Sequence, residues 1–225
     1  MAIVIPMNMN MNMNMNTDHV LTLAQWFSPA YPVGAFAYSH GLEWAVDSRD
    51  VTDANTLRDW VVTALRYGAG AADALFLAAA FRADDPADTD ATARAFAASS
   101  ERLAESVLLG EAFCRATRGI WDMPIPALTY PVAVGYAAGR EQLPLELTLR
   151  MYLQAFASNL VTAGLRLIPL GQTEGHRLIR ALTPDFAELA EQAVRGSIDD
   201  LTSTAFLTDI ASMKHETQYS RIFRT

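Results

Sequence analysis

Lysine is almost missing from this chain: Lys214 is the only one among 17 basic residues, and the others are arginine. A phosphate-cradling P-loop needs Gly-Lys-Ser/Thr. Lys214 stands between Met213 and His215, so nucleotide binding through that motif is excluded. Cysteine is as scarce. Cys114 has no second cysteine to pair with, which excludes an internal disulfide and fits a reducing, cytoplasmic setting. The four histidines are His19, His40, His176 and His215, and none stands three or four residues from another. His215-Glu216 begins like the metalloprotease pattern His-Glu-x-x-His, but Tyr219 fills the final position. No metal centre is expected from one chain. No Gly-x-Ser-x-Gly elbow occurs, and the sequence neighbours Ser39 and His40 do not by adjacency make a nucleophile and its base. The expectation is that this is not an enzyme.

Charge is thin too. Charged residues make up 19% of the chain, against roughly 25% in an average domain. The net charge of -8 has the wrong sign for a nucleic-acid partner, which attracts a basic face. No run reaches the roughly 18 uninterrupted apolar residues of a membrane span. The most apolar stretch, Ala69 to Phe81, carries Asp73. Neither a nucleic acid nor a membrane is expected as a partner.

What is present is helical pattern. Hydrophobic residues form 51% of 225 residues, enough for a substantial core. The alternating Met-Asn run, Met7 to Asn16, is read as disordered, because Asn is a poor strand former. Asp18 is a candidate N-cap, followed by Val20, Leu23, Ala24 and Phe27 at helical spacing. The segment Ser28 to Gly41 has two prolines, two glycines and three aromatics, the composition of a structured loop. A short helix is expected from about Ser39 to Asp47, and another capped by Asn55 or Thr56. Gly68 and Gly70 imply a kink or a close helix contact. One long Ala-rich helix is expected over about Asp90 to Arg118, a helix opened by Pro131, and a long one from Pro144 to about Ile168. Two more follow to Leu201. No hairpin signal appears. The fold class is therefore all-α: a single-domain bundle of roughly eight to ten helices. The expected division is a disordered extension over 1–17, a helical domain over 18–211 and a C-terminal tail over 212–225.

The tail, Ser212 to Thr225, stands out as basic and aromatic on an acidic chain. Tyr, Phe and Arg are enriched in interface hot spots. One reading makes the tail a docking element. The other makes it a terminus that packs a few residues back on its own core.

Three stretches together resemble one family, the UreF-type urease accessory proteins. They are the loop SPAYPVGAFAYSHGLE (Ser28 to Glu43), the segment SNLVTAGLRLIPLGQTEGHRLI (Ser158 to Ile179) and the end ASMKHETQYSRIFRT (Ala211 to Thr225). The family commonly has Gly-Gly-Phe-Ser where this chain has Gly34-Ala35-Phe36-Ala37. The resemblance implies an all-helical homodimer that joins the accessory protein UreD/UreH and the GTPase UreG. That assembly delivers nickel to apo-urease, coupled to GTP hydrolysis by the partner. No cofactor is held stably; nickel passes through the complex. Carried onto this chain, the resemblance assigns partner binding to Lys214, His215, Glu216, Tyr219, Arg221, Phe223 and Arg224. It marks Pro32, Gly34, Phe36, Tyr38, Ser39, His40, Gly41 and Glu43 as a signature loop with a structural or interface role. On this basis the tail is expected to be mobile when free and to fold on binding. As a helix it would set Tyr219 and Phe223 on one face, with Arg221 and Arg224 reaching partner carboxylates. Two alternatives stand beside this: an arginine-donating regulator of the partner GTPase, and a stand-alone helical enzyme using His40 or His176.

Overall fold

The computed structural model describes residues 16–225. The expectation of disorder for the extension falls almost wholly outside them. Within them the chain forms eleven α-helices and two short 3-10 turns, Ala35–Ala37 and Ile198–Asp200. No strand occurs among the described residues. The helices are α1 (Thr17–Trp26), α2 (Leu42–Asp47), α3 (Ala54–Tyr67), α4 (Ala69–Arg82), α5 (Ala87–Phe96) and α6 (Ser100–Trp121). They continue as α7 (Tyr130–Arg140), α8 (Leu145–Leu167), α9 (Gln172–Ala181), α10 (Thr183–Arg195) and α11 (Phe206–His215). The all-α class is as the sequence pattern implies.

Several boundaries differ, each for a local reason. The cap of α1 is Asn16, whose side chain accepts the Asp18 N–H at 3.0 Å, rather than Asp18 itself. The cap of α3 is Asp53, in a reciprocal box with Thr56. The expected long helix through Asp90–Arg118 is two helices. Ser99, extended at φ -145°, caps α6 by accepting the Arg102 N–H at 3.0 Å and so breaks the Ala-rich run. Helix α2 begins at Leu42 and not near Ser39, because His40 and Gly41 are both left-handed, at φ 53° and 75°. The tail boundary expected at Ser212 falls inside α11.

Helix α4 lies at the centre and runs against α7 and α8. Leu77, Ala78 and Ala80 of α4 and Val132, Ala133, Val134 and Ala137 of α7 are fully buried. The two backbones touch at Gly135: a Cβ there would lie 2.2 Å from the Leu77 carbonyl oxygen. Gly139 is another such contact point, against Phe81. Helices α3 and α4 read together as long and apolar enough for a membrane span, yet most of that stretch is buried inside the fold and Gly68 breaks it.

The 28–41 loop is fixed to this bundle by aromatic edges. Trp26 meets Phe113 edge-on with ring centres 5.2 Å apart, and Trp121 at 5.6 Å. Tyr31 shares a hydrogen bond of 3.1 Å with Thr117 on α6. The loop is thus a packed platform laid along α6 and α8.

Candidate partner-docking site

The C-terminal segment lies on that platform. Helix α11 crosses Gly41 so closely that a Cβ there would sit 2.5 Å from the Ser212 nitrogen. After His215 the chain leaves the helix and runs back along the loop. Arg224 donates its N–H to the Ala37 carbonyl at 2.8 Å. Ser39 donates its N–H to the Thr225 carbonyl at 2.8 Å and its hydroxyl to the same oxygen at 2.5 Å. Ile222 and Phe223 donate consecutive backbone N–H groups to the Glu43 carboxylate, at 2.7 and 2.9 Å. In this conformation the tail lies against the loop and α2. The N–H groups of Ile222 and Phe223 go to Glu43 of α2 and that of Arg224 to the loop, so the alternative reading of a terminus packed on its own core matches this conformation.

The tail is not a helix at Tyr219 and Phe223, and the two do not share a face. Phe223 is buried, with the Arg166 guanidinium 4.3 Å over its ring. Tyr219 stands fully in solvent. His215 is fully buried, with Nδ1 2.7 Å from Glu101 and Nε2 3.3 Å from Glu43. Arg221 pairs with Glu101 of its own chain at 2.7 Å. Glu216 accepts the N–H of Ser100, at the first turn of α6. Only Lys214 and Arg224 among the tail cations are exposed without a carboxylate partner among the described residues.

The signature loop divides in the same way. Tyr38, Ser39, Gly41 and Glu43 are buried. Pro32 and Phe36 are exposed, and Gly34 turns the chain at φ 79°. His40 is held: its Nε2 lies 3.0 Å from Glu105 and its ring meets Phe156 edge-on.

Beneath the loop a buried polar chain leads inward. Thr225 donates to Glu105 at 3.2 Å. Arg102 lies 3.7 Å from Glu105 and forks onto Asp73 at 2.8 and 2.7 Å. Tyr152 donates to Asp73 at 2.7 Å. Burial pushes the Glu105 carboxyl up, but His40 and Arg102 outweigh it and hold the group below the ordinary carboxylate range. Burial, then the Asp73 charge, raises Tyr152 well above a usual phenol, so it remains a donor. Of these residues Asp73 had a sequence signal, a lone charge in an apolar run. Arg102, Glu105, Glu101, Tyr152 and Arg166 had none: apart from the Arg102–Glu105 pair on α6, their partners are distant in sequence.

Ser39 is engaged by Thr225, and burial pushes the Cys114 thiol up, away from the reactive thiolate. His176 is exposed on α9. No group of three or more His, Cys, Asp or Glu side chains is arranged to hold a metal among the described residues. Apolar side chains gather on the outside instead. Phe206, Ile210 and Met213 follow one face of α11 and are exposed, as are Leu207, Tyr219 and Ile222.

The described residues form an all-helical domain with the loop and the C-terminal segment packed on one another. Comparison with known proteins narrows this. The UreF family model matches residues 51–183. The chain is 57% identical over 209 residues to the urease accessory protein UreF of Ruegeria pomeroyi, covering 92% of this chain and 96% of the relative. It is 52% identical to the same-named protein of Roseobacter denitrificans, over 93% of this chain and 95% of the relative. Against that of Rhodopseudomonas palustris it is 46% identical, over 90% of each. The chain belongs to the UreF family.

Proposed function

We propose that this protein acts in urease maturation as a non-catalytic accessory component. It joins a UreD/UreH-type protein and the GTPase UreG, and the assembly delivers nickel to apo-urease with GTP hydrolysed by the partner. The protein works in the cytoplasm as a homodimer, and nickel is cargo rather than a resident cofactor. The observation that carries this reading is the 57% identity to a urease accessory protein UreF across 96% of that relative's length. The geometry supports a binding role. The exposed apolar side chains of α11 and the tail form a surface of the kind partners cover.

The test is complementation. Cells lacking their own UreF but holding the other accessory proteins and apo-urease are given this chain. Purified urease should regain bound nickel, measured by elemental mass spectrometry, together with activity. Urease that stays nickel-free while this chain is soluble and abundant contradicts the proposal.

A further inference from the structure

We propose that packing of the C-terminal segment takes up one proton, held on His215 between Glu43 and Glu101, so that partner binding through this segment weakens as the solution turns alkaline. The inference rests on the proposed function, in which this segment meets a partner and completes its packing there.

His215 ends α11 and is fully buried. Its Nδ1 lies 2.7 Å from the Glu101 carboxylate and its Nε2 3.3 Å from that of Glu43. A neutral imidazole has one N–H and one lone pair. In either tautomer the lone pair would face a carboxylate, and two acceptors would meet with no proton between them. With a proton on each nitrogen, both contacts become charge-assisted hydrogen bonds. The charge count agrees. Glu43 and Glu101 bring two negative charges, and Arg221, 2.7 Å from Glu101, brings one positive. One further proton makes the group neutral, the state that burial favours.

Helix α11 packs on α2, α6 and α3. Of the other charges on these helices, Arg102 goes to Asp73 and Glu105 to His40. Arg66 of α3 goes to Asp185 and Glu188, and Arg58 lies beside Asp59. Asp47 of α2 and the neighbouring Lys214 are exposed. Glu216 accepts the Ser100 N–H. Among the described residues only Glu43 and Glu101 pair with His215.

Beyond α11 the segment has no helix, and of residues 217–225 only Phe223 and Thr225 are buried. A stretch that buries so little opens locally at small cost. Opening takes Arg221 and the Ile222 and Phe223 N–H groups away from the two carboxylates and admits water to His215. An imidazole in water gives up its proton near pH 6.5. Well below that pH both states carry the proton, and its contribution to packing is complete. Above it the open state has lost the proton, so each packing event draws one from solution and the contribution declines.

Calorimetric titration of the full-length chain with the UreD/UreH-type partner at pH 7.5, in two buffers of different ionisation enthalpy, counts those protons. The unaltered chain should take up about one proton more than His215→Gln. Its affinity should fall roughly eightfold from pH 7 to pH 8, against less than about twofold for His215→Gln. The partner's own titrating groups are common to both and drop out of the comparison. A chain ending at Glu216 serves as the reference. If that truncation binds as tightly as the full chain, the docking role of the segment fails, and this inference with it. If the truncation loses binding while the unaltered chain and His215→Gln take up equal numbers of protons, the proton linkage alone is overturned. Should His215→Gln not fold or not bind, nitrogen NMR of the full-length chain in the complex at pH 7.5 decides. Both ring nitrogens of His215 should carry a proton; a neutral ring would overturn the inference.

Discussion

Arg102 forks onto Asp73, one guanidinium nitrogen lying 2.8 Å from one carboxylate oxygen and 2.7 Å from the other. The pair joins α6 to the central helix α4, with side chains only 13% and 7% exposed. Removing one member strands the other in a place where water cannot replace it. Arg102→Ala leaves Asp73 without its cation and Glu105 with His40 alone. It should cost about 3–5 kcal/mol in urea unfolding. A loss below about 1 kcal/mol would mean that water reaches the site.

The closeness of α4 and α7 makes a second prediction with an internal control. At Gly135 an added Cβ meets the Leu77 backbone at 2.2 Å, where no flexible side chain can yield. Gly135→Ala should destabilise by about 3 kcal/mol. Gly119, on α6, has nothing within 4 Å of the same atom. Gly119→Ala should stabilise by about 0.5–1 kcal/mol through helix propensity alone. Thermal unfolding of the two variants reads the opposite signs directly.

Acid should act through Glu105. Its carboxyl is held below the ordinary range in the folded state, by His40 and Arg102 against the opposing effect of burial. The unfolded chain therefore takes up its proton first as pH falls. The stability tied to this group is complete above the unfolded value of about 4.3 and is lost below it, as pH drops through the depressed folded value. Glu105→Gln should lower stability at neutral pH and flatten the decline below about pH 4. Chemical denaturation across that range checks both.

Tyr219 and Phe223 should separate binding from docking of the segment. Tyr219 is fully exposed, so Tyr219→Ala should change stability by less than about 0.5 kcal/mol while weakening partner binding. Phe223→Ala removes the buried ring under Arg166 and should free the segment, seen as faster exchange over residues 220–225. Equal effects of the two changes on exchange would contradict the arrangement.

Much of this was legible beforehand. The bundle follows from residues such as Leu149, Tyr152, Leu153 and Phe156, spaced at helical intervals on α8 and buried together. The 28–41 loop was recognisable as structured from its aromatics, and Tyr31 and Tyr38 are buried. The tail's conformation was not legible. Tyr219 and Phe223 are four apart, which suggests one helix face, but Glu43 captures the main chain from 180 positions away and overrides that spacing. The division of α5 from α6 turned on Ser99, one hydroxyl in an Ala-rich stretch. The buried network had no sequence signal except at Asp73, since it joins α4, α6, α8 and the C-terminal residue, which are far apart in the chain.

The account rests on the C-terminal segment as the surface that a partner reads. A cut after Glu216 removes the segment but keeps α11 and the buried His215, which a cut after Ser212 would destroy. The decisive measurement is the affinity of that truncated chain for the UreD/UreH-type partner, beside the full chain, with helicity followed by circular dichroism. The account predicts unchanged helicity and an affinity at least a hundredfold weaker. An affinity equal to that of the full chain would contradict it.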